Sequence, residues 1–141
     1  MEPLVADANF LLRLLTRHPP AQFQAALQLL ETLEADGQVV EVHPMHVAEA
    51  VFVLEGSVYN LPAKTVAQEL ELLLSAGVFH LRDGGAILAA LAAYPGSGLE
   101  FPDVFLRELA RQEGRRVVTF DRRLARSSSA LVPGAVKDEP R

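Results

Sequence analysis

Four short runs rich in Val, Leu and Phe, at Pro3–Ala6, Val39–Val42, Val78–Leu81 and Arg116–Phe120, alternate with longer stretches that repeat apolar residues at helical spacing. Runs of this length suit a pleated sheet, and the stretches between them are long enough to be crossover helices joining parallel strands. The alternation predicts an α/β fold with a largely parallel sheet covered on both faces. In such sheets the reactive edge lies beyond the carboxyl ends of the strands.

Local signals place the helix ends. A strand-to-helix switch falls at Asp7-Ala8-Asn9, and Phe10–Leu15 continues as a helix that His18-Pro19-Pro20 closes. Ala21–Ala35 follows, with Ala25, Leu29, Leu30 and Leu33 as its apolar positions and Gly37 beyond its end. Pro44 opens a helix through Leu54, and Pro62 opens another that carries Val66, Leu70, Leu73 and Leu74 and stops at Gly77. Asp83–Tyr94 and Phe101–Glu113 are helical, with a loop at Pro95–Gly98 between them. A short basic helix follows Asp121, and Leu131–Val136 is a last edge strand that Pro133 weakens.

With 141 residues the chain has the length of one domain, here residues 1–141, and its even mixture of apolar and polar residues excludes a disordered or low-complexity polymer. There is no cysteine, so a disulfide framework, a zinc-thiolate site and a thiol nucleophile are all excluded. The four histidines are scattered and have no nearby serine arrangement of the kind a nucleophile needs. The opening MEPLVADANF lacks the basic and apolar zones of a secretory leader, and no apolar run approaches the roughly 20 residues of a membrane span. These features point to a cytoplasmic protein.

The formal charge of −5 is unevenly distributed. Residues 1–106 carry four bases against thirteen acids, whereas residues 107–126 carry seven arginines against Glu108, Glu113 and Asp121. A net acidic chain can still hold nucleic acid when its bases are focused near the site. The arginines have two readings, as a phosphate-tracking surface or as a solvated helix face. Arg107 and Arg111 stand four apart on one helix and repel unless an anion or an acid lies between them, while Arg122 and Arg123 directly follow Asp121.

Four acids stand out. Asp7 and Asp121 each follow a strand, at the reactive edge of the sheet. Asp103 falls in the first turn of its helix, near the positive end. Glu49 sits within HVAEAVFVL, where an ionised carboxylate among apolar neighbours needs a partner, a hydrogen bond or a metal. Helix capping is the competing use for Asp7, Asp103 and Asp121, but it does not account for Glu49. As a set, the acids offer hard oxygen ligands suited to Mg²⁺ or Mn²⁺, and such a site suits phosphoester hydrolysis. Asn9 and Thr119 stand where they can hydrogen-bond a carboxylate or a bound water; their alternative uses are local capping and strand propensity.

The segments VADANFLLRLL, VAEAVFVLEG with NLPAKTVAQELELLL, FPDVFLRELARQEG and VVTFDRRL together resemble the PIN-domain family of metal-dependent ribonucleases, especially the short VapC-like toxins of bacterial toxin–antitoxin pairs. The resemblance implies a three-layer α/β/α sandwich whose central, mostly parallel sheet gathers acids around Mg²⁺ or Mn²⁺. By motif those catalytic and metal-binding acids are Asp7, Glu49, Asp103 and Asp121, with Asn9 and Thr119 in supporting positions. Ala8 departs from the small hydroxyl residue common at that place, which bears on hydrogen bonding around the metal without removing a ligand. The resemblance also implies an RNA substrate, a homodimer and an antitoxin partner. The apolar stretches Phe10–Leu15, Ala25–Leu33 and Val51–Leu54 serve either as such partner surfaces or as core.

The expected activity is endoribonuclease cleavage leaving a 5′-phosphate and a 3′-hydroxyl, with Arg107, Arg111, Arg122 and Arg123 on the RNA. Three rivals remain: an RNA-processing nuclease outside any toxin system, a non-catalytic RNA- or protein-binding module with the same fold, and a phosphatase with an aspartyl nucleophile at Asp7. The phosphatase ordinarily needs a second Asp where Asn9 stands, and a phosphate-binding lysine. The only lysines are Lys64 and Lys137.

Overall fold

The computed structural model describes residues 2–134. Its elements run β1 (Leu4–Val5), α1 (Ala8–Thr16), α2 (Pro20–Ala35), β2 (Val40–Val42), α3 (Pro44–Glu55), α4 (Ala63–Leu74), β3 (Phe79–Leu81), α5 (Gly84–Ala93), α6 (Phe101–Glu113), β4 (Val117–Val118), α7 (Arg122–Arg126) and β5 (Ala130–Leu131). The expected helices all form, and the expected strands appear as shorter segments. Of the expected strand Leu131–Val136, only its first residue pairs, within β5, and residues 135–136 lie outside the described residues.

Local chemistry sets the boundaries. Asp7 caps α1, which ends where Arg17 turns left-handed at φ 57° and two prolines follow. Pro20, Pro44 and Pro102 each lie in a first helical turn, where a missing N–H costs no bond. Gly114 closes α6 at φ 65°, a conformation that a side chain makes costly, and its N–H returns to the carbonyls of Ala110 and Arg111.

Every strand pair is parallel, in two ladders: β1-β2-β3 and β4-β5. In the first ladder Leu4, Val40 and Phe79 lie in one row, and Val5, Glu41 and His80 in the next. Side chains alternate across a sheet, so the first row packs into the core and the second faces outward, with Val5 62% exposed. In the second ladder Val117 is buried with Ala110 and Leu124, while Val118 is exposed.

The main core joins Leu11 of α1, Val42 of β2, Val47 and Leu54 of α3, Val66 and Leu70 of α4, Ile87 and Leu91 of α5, and Val104 of α6. Packing resolves two sequence expectations. On α2 the buried positions are Ala26 and Leu33, whereas Ala25 and Leu29 face solvent. Of the apolar stretches with two possible uses, Leu11, Leu12, Leu14, Val51 and Leu54 enter the core, while Leu27, Leu29, Phe52 and Val53 remain exposed. At the end of α3, Glu55 receives the Tyr94 hydroxyl at 2.7 and 2.8 Å, tying α3 to the end of α5. Burial and the adjoining Glu55 carboxylate hold the Tyr94 phenol far above its ordinary value. Among the described residues, no helix is long and apolar enough to cross a membrane.

Leu11 has no exposed surface, and Phe52 is 80% exposed. Urea denaturation of Leu11→Ala is expected to show a loss of about 2–5 kcal/mol, while Phe52→Ala stays within about 0.5 kcal/mol of the parent.

Candidate metal centre at the carboxyl edge of the strands

Asp7 follows β1, whose end is held by the Ala6 N–H donating to the Glu41 carbonyl at 2.9 Å. Its carboxylate is exposed and accepts the Phe10 N–H at 2.9 Å, so Asp7 does cap α1. Asp121 is built alike beyond β4: it caps α7 by accepting the Leu124 N–H at 3.0 Å, and its own N–H donates to Thr119 Oγ1 at 2.9 Å. Thr119 therefore fixes the backbone that presents Asp121. In each Asp the cap engages one carboxylate oxygen, Oδ1, so capping and ligation are not mutually exclusive uses.

Asp103 is different. It sits in the first turn of α6, half-buried, and the capping position belongs to Glu100. Burial raises its carboxyl above the ordinary value, and the nearby carboxylates of Asp121 and Glu100 raise it further. That like-charge coupling brings Asp103 and Asp121 into one electrostatic neighbourhood, although they come from separate elements 18 residues apart. Among the described residues no Lys or Arg forms an ion pair with either acid.

Glu49 corrects the argument that singled it out. α3 is apolar in composition but buries only the stripe Val47, Ala50, Val51 and Leu54. Glu49 lies on the outer stripe with Met45, Phe52 and Val53; its side chain is 56% exposed and meets His46 Nδ1 at 3.1 Å. It is no desolvated charge, and any claim on a metal rests on its place rather than on burial. Asn9 is exposed on the first turn of α1.

Chemically, the acids are hard oxygen donors, and the Asp103–Asp121 pair is an excess of negative charge of the kind a divalent cation relieves. The donor type fits Mg²⁺ or Mn²⁺. Among the described residues, however, no group of three Asp, Glu or His side chains converges closely enough to hold an ion.

The arginines divide. Arg107 Nε donates to Glu108 at 3.0 Å, and Arg111 Nη1 donates to the same carboxylate at 3.2 Å. Glu108 is thus the acid between them that their spacing calls for, and at 5% exposure it is the buried charged residue among those described. Sequence reasoning passed over Glu108, yet the signal is present: Phe101, Val104 and Glu108 fall on one helical stripe, so the buried face of α6 runs through it. Arg123 donates to the Gly98 carbonyl at 3.1 Å, anchoring the loop before α6, and Arg122 is exposed beside Asp121. Sequence reasoning also gave the histidines little weight. The structure gathers two of them with Arg82 around Glu41, where His43 Nε2 lies at 2.8 Å and His80 Nδ1 at 3.6 Å. The hydrogen bond with His43 is the main cause of a Glu41 carboxyl held below its ordinary value.

Parallel strands followed by acids that cap the next helices define an α/β domain. The family model for the PIN domain matches residues 4–128, from β1 through α7, and the chain belongs to that family. No curated protein and no solved structure gives a significant match to it.

Because the fold raises the Asp103 carboxyl, the native chain holds that proton more tightly than the unfolded chain does, and ionisation costs stability as pH rises out of the acid range. Asp103→Asn is expected to match or exceed the parent's stability at neutral pH, with the difference vanishing below about pH 3. Asp7→Ala and Asp121→Ala each lose about 1 kcal/mol with their caps. Urea melts of the three variants at both pH values check this.

Proposed function

We propose that this PIN domain is a Mg²⁺- or Mn²⁺-dependent endoribonuclease, with Asp7, Glu49, Asp103 and Asp121 as the acids that would hold the metal. What supports the reading is the Asp103–Asp121 pair: the Asp121 carboxylate raises the Asp103 carboxyl through space, and neither acid has an ion-pair partner among the described residues. The mutual repulsion of two such carboxylates disfavours their charged forms, a cost that a bound cation would relieve.

Each residue then has a defined task. Thr119 holds the Asp121 backbone, and the α7 cap fixes one oxygen of that carboxylate. Asp7 enters from β1, oriented by its own cap. Arg122 and Arg123 directly follow Asp121 at the start of α7 and are the bases we assign to the phosphate of an RNA strand at the carboxyl edge of the strands. Asp7, Glu49, Asp103 and Asp121 would hold Mg²⁺ or Mn²⁺, which would supply charge neutralisation and help to activate water. Water adds to phosphorus in line and gives up a proton to solvent, the phosphorus–O3′ bond breaks, and the departing O3′ takes a proton from solvent, leaving a 5′-phosphate and a 3′-hydroxyl.

The toxin reading, with an antitoxin partner and a homodimer, draws support from α3. Met45, Phe52 and Val53 expose an apolar stripe beside Glu49, and a partner helix laid on it would cover the acid. One observation favours a second reading, a non-catalytic binding module: among the described residues the acids do not converge in threes.

Incubating total RNA with the purified protein and Mg²⁺ or Mn²⁺ separates the two readings. Discrete fragments with 5′-phosphate ends are expected, absent with EDTA and reduced at least about 100-fold by Asp7→Asn or Asp103→Asn. Thr119→Val, which acts only through Asp121, is expected to cost about 10–100-fold. No cleavage in either metal, with no calorimetric metal binding, would falsify the nuclease reading and leave the binding module.

A further inference from the structure

A cleft of about 340 Å³ opens between the C-terminal half of α6 and the end of α7. Its walls carry Arg107, Arg111, Arg115 and Arg126 together with Ser127, Ser128 and Ser129, and no acid among the described residues lines it. None of the four candidate metal ligands borders it. Val117, which opens β4, is at its floor, whereas Asp121 lies beyond the other end of that strand. Asp103 and Arg111 are eight residues apart on α6, about 12 Å of helix.

Ion pairing explains part of this concentration of charge. The buried Glu108 carboxylate orients Arg107 and Arg111, and Glu113 meets Arg115 at 3.1 Å. One carboxylate cannot neutralise two guanidinium groups, and Arg126 has no ion-pair partner among the described residues. Glu108 also holds the Arg107 guanidinium in place, with its side chain 13% exposed, so that part of the cost of ordering a long side chain is met before any ligand arrives. Planar guanidinium forks match the oxygens of a phosphate, while the Ser127 and Ser128 hydroxyls donate to the Leu124 carbonyl and hold the turn after α7 that forms one wall.

We propose that this cleft binds backbone phosphates of an RNA strand at a distance from the carboxylates. The proposal rests on the reading of RNA as substrate, and it adds a second point of attachment whose contacts are independent of the metal. A strand lying along α6 meets the acids at the start of the helix and the arginine cleft towards its end.

The test is fluorescence anisotropy of a labelled 12-nucleotide oligoribonucleotide in EDTA, where no cleavage occurs, across a series of salt concentrations. Asp103→Asn, which removes a negative charge from the path of the strand, is expected to bind at least as tightly as the parent. Arg115→Ala/Arg126→Ala, two exposed changes that leave Glu108 and its partners intact, is expected to weaken binding about tenfold and flatten the log–log salt slope by about 0.7 per lost phosphate contact. Arg126→Lys should recover part of the affinity. Equal affinity and slope for parent and double variant overturn the proposal. Inorganic phosphate or a mononucleotide displacing the strand as effectively as unlabelled strand also overturns it, in favour of a small-anion site. Loss of cleavage with binding intact would count against the nuclease alone, and cleavage with the double variant binding normally would count against the cleft alone.

Discussion

Strands of two or three residues cannot hold a sheet together by their own hydrogen bonds, so this fold depends on the burial of helix faces against the inward row Leu4, Val40 and Phe79. Leu11, Val47, Leu54, Leu70, Ile87 and Val104 come from five different helices and meet in one cluster. That packing fixes where the strands stop, and where they stop decides which residues stand at the carboxyl edge. Asp7 and Asp121 reach that edge as caps of the helices that follow their strands. The same hydrogen bonds that start α1 and α7 also aim the carboxylates.

Electrostatics divides α6 into two regimes along one helix. At its start Asp103 is half-buried beside acids, and its charge is disfavoured. One to two turns on, Glu108 is more deeply buried but lies between Arg107 and Arg111, and all of the polar atoms it buries are satisfied. The contrast is one of compensation: a buried charge with two guanidinium partners is structural, while the charge of a carboxylate near other carboxylates is disfavoured. The uneven charge along the sequence thus becomes an acidic end and a basic end of the region around α6.

Much of the fold was legible in the chain because its punctuation is local. Prolines at first turns, the left-handed close at Gly114 and the Asp caps need only neighbouring residues to act, and every expected helix is present. The site was legible in part. Asp7 and Asp121 stand after their strands as expected, because strand-end position follows from local pattern. Glu49 was singled out on burial, and that argument failed because composition says how apolar a helix is, not which stripe faces inward. Glu108 was overlooked for the complementary reason: its burial becomes visible only when the face holding Phe101 and Val104 is known to pack.

The sequence alone determined the class of fold, the helix boundaries and the supply of hard oxygen ligands without a thiol, since these depend on residue types and short-range spacing. Tertiary structure decided which acids meet. The coupling of Asp103 to Asp121, the exposure of Glu49 and the gathering of arginines around Glu108 and the cleft beyond it all join or separate residues by packing, and burial and Coulomb energies are set by distance in space rather than along the chain.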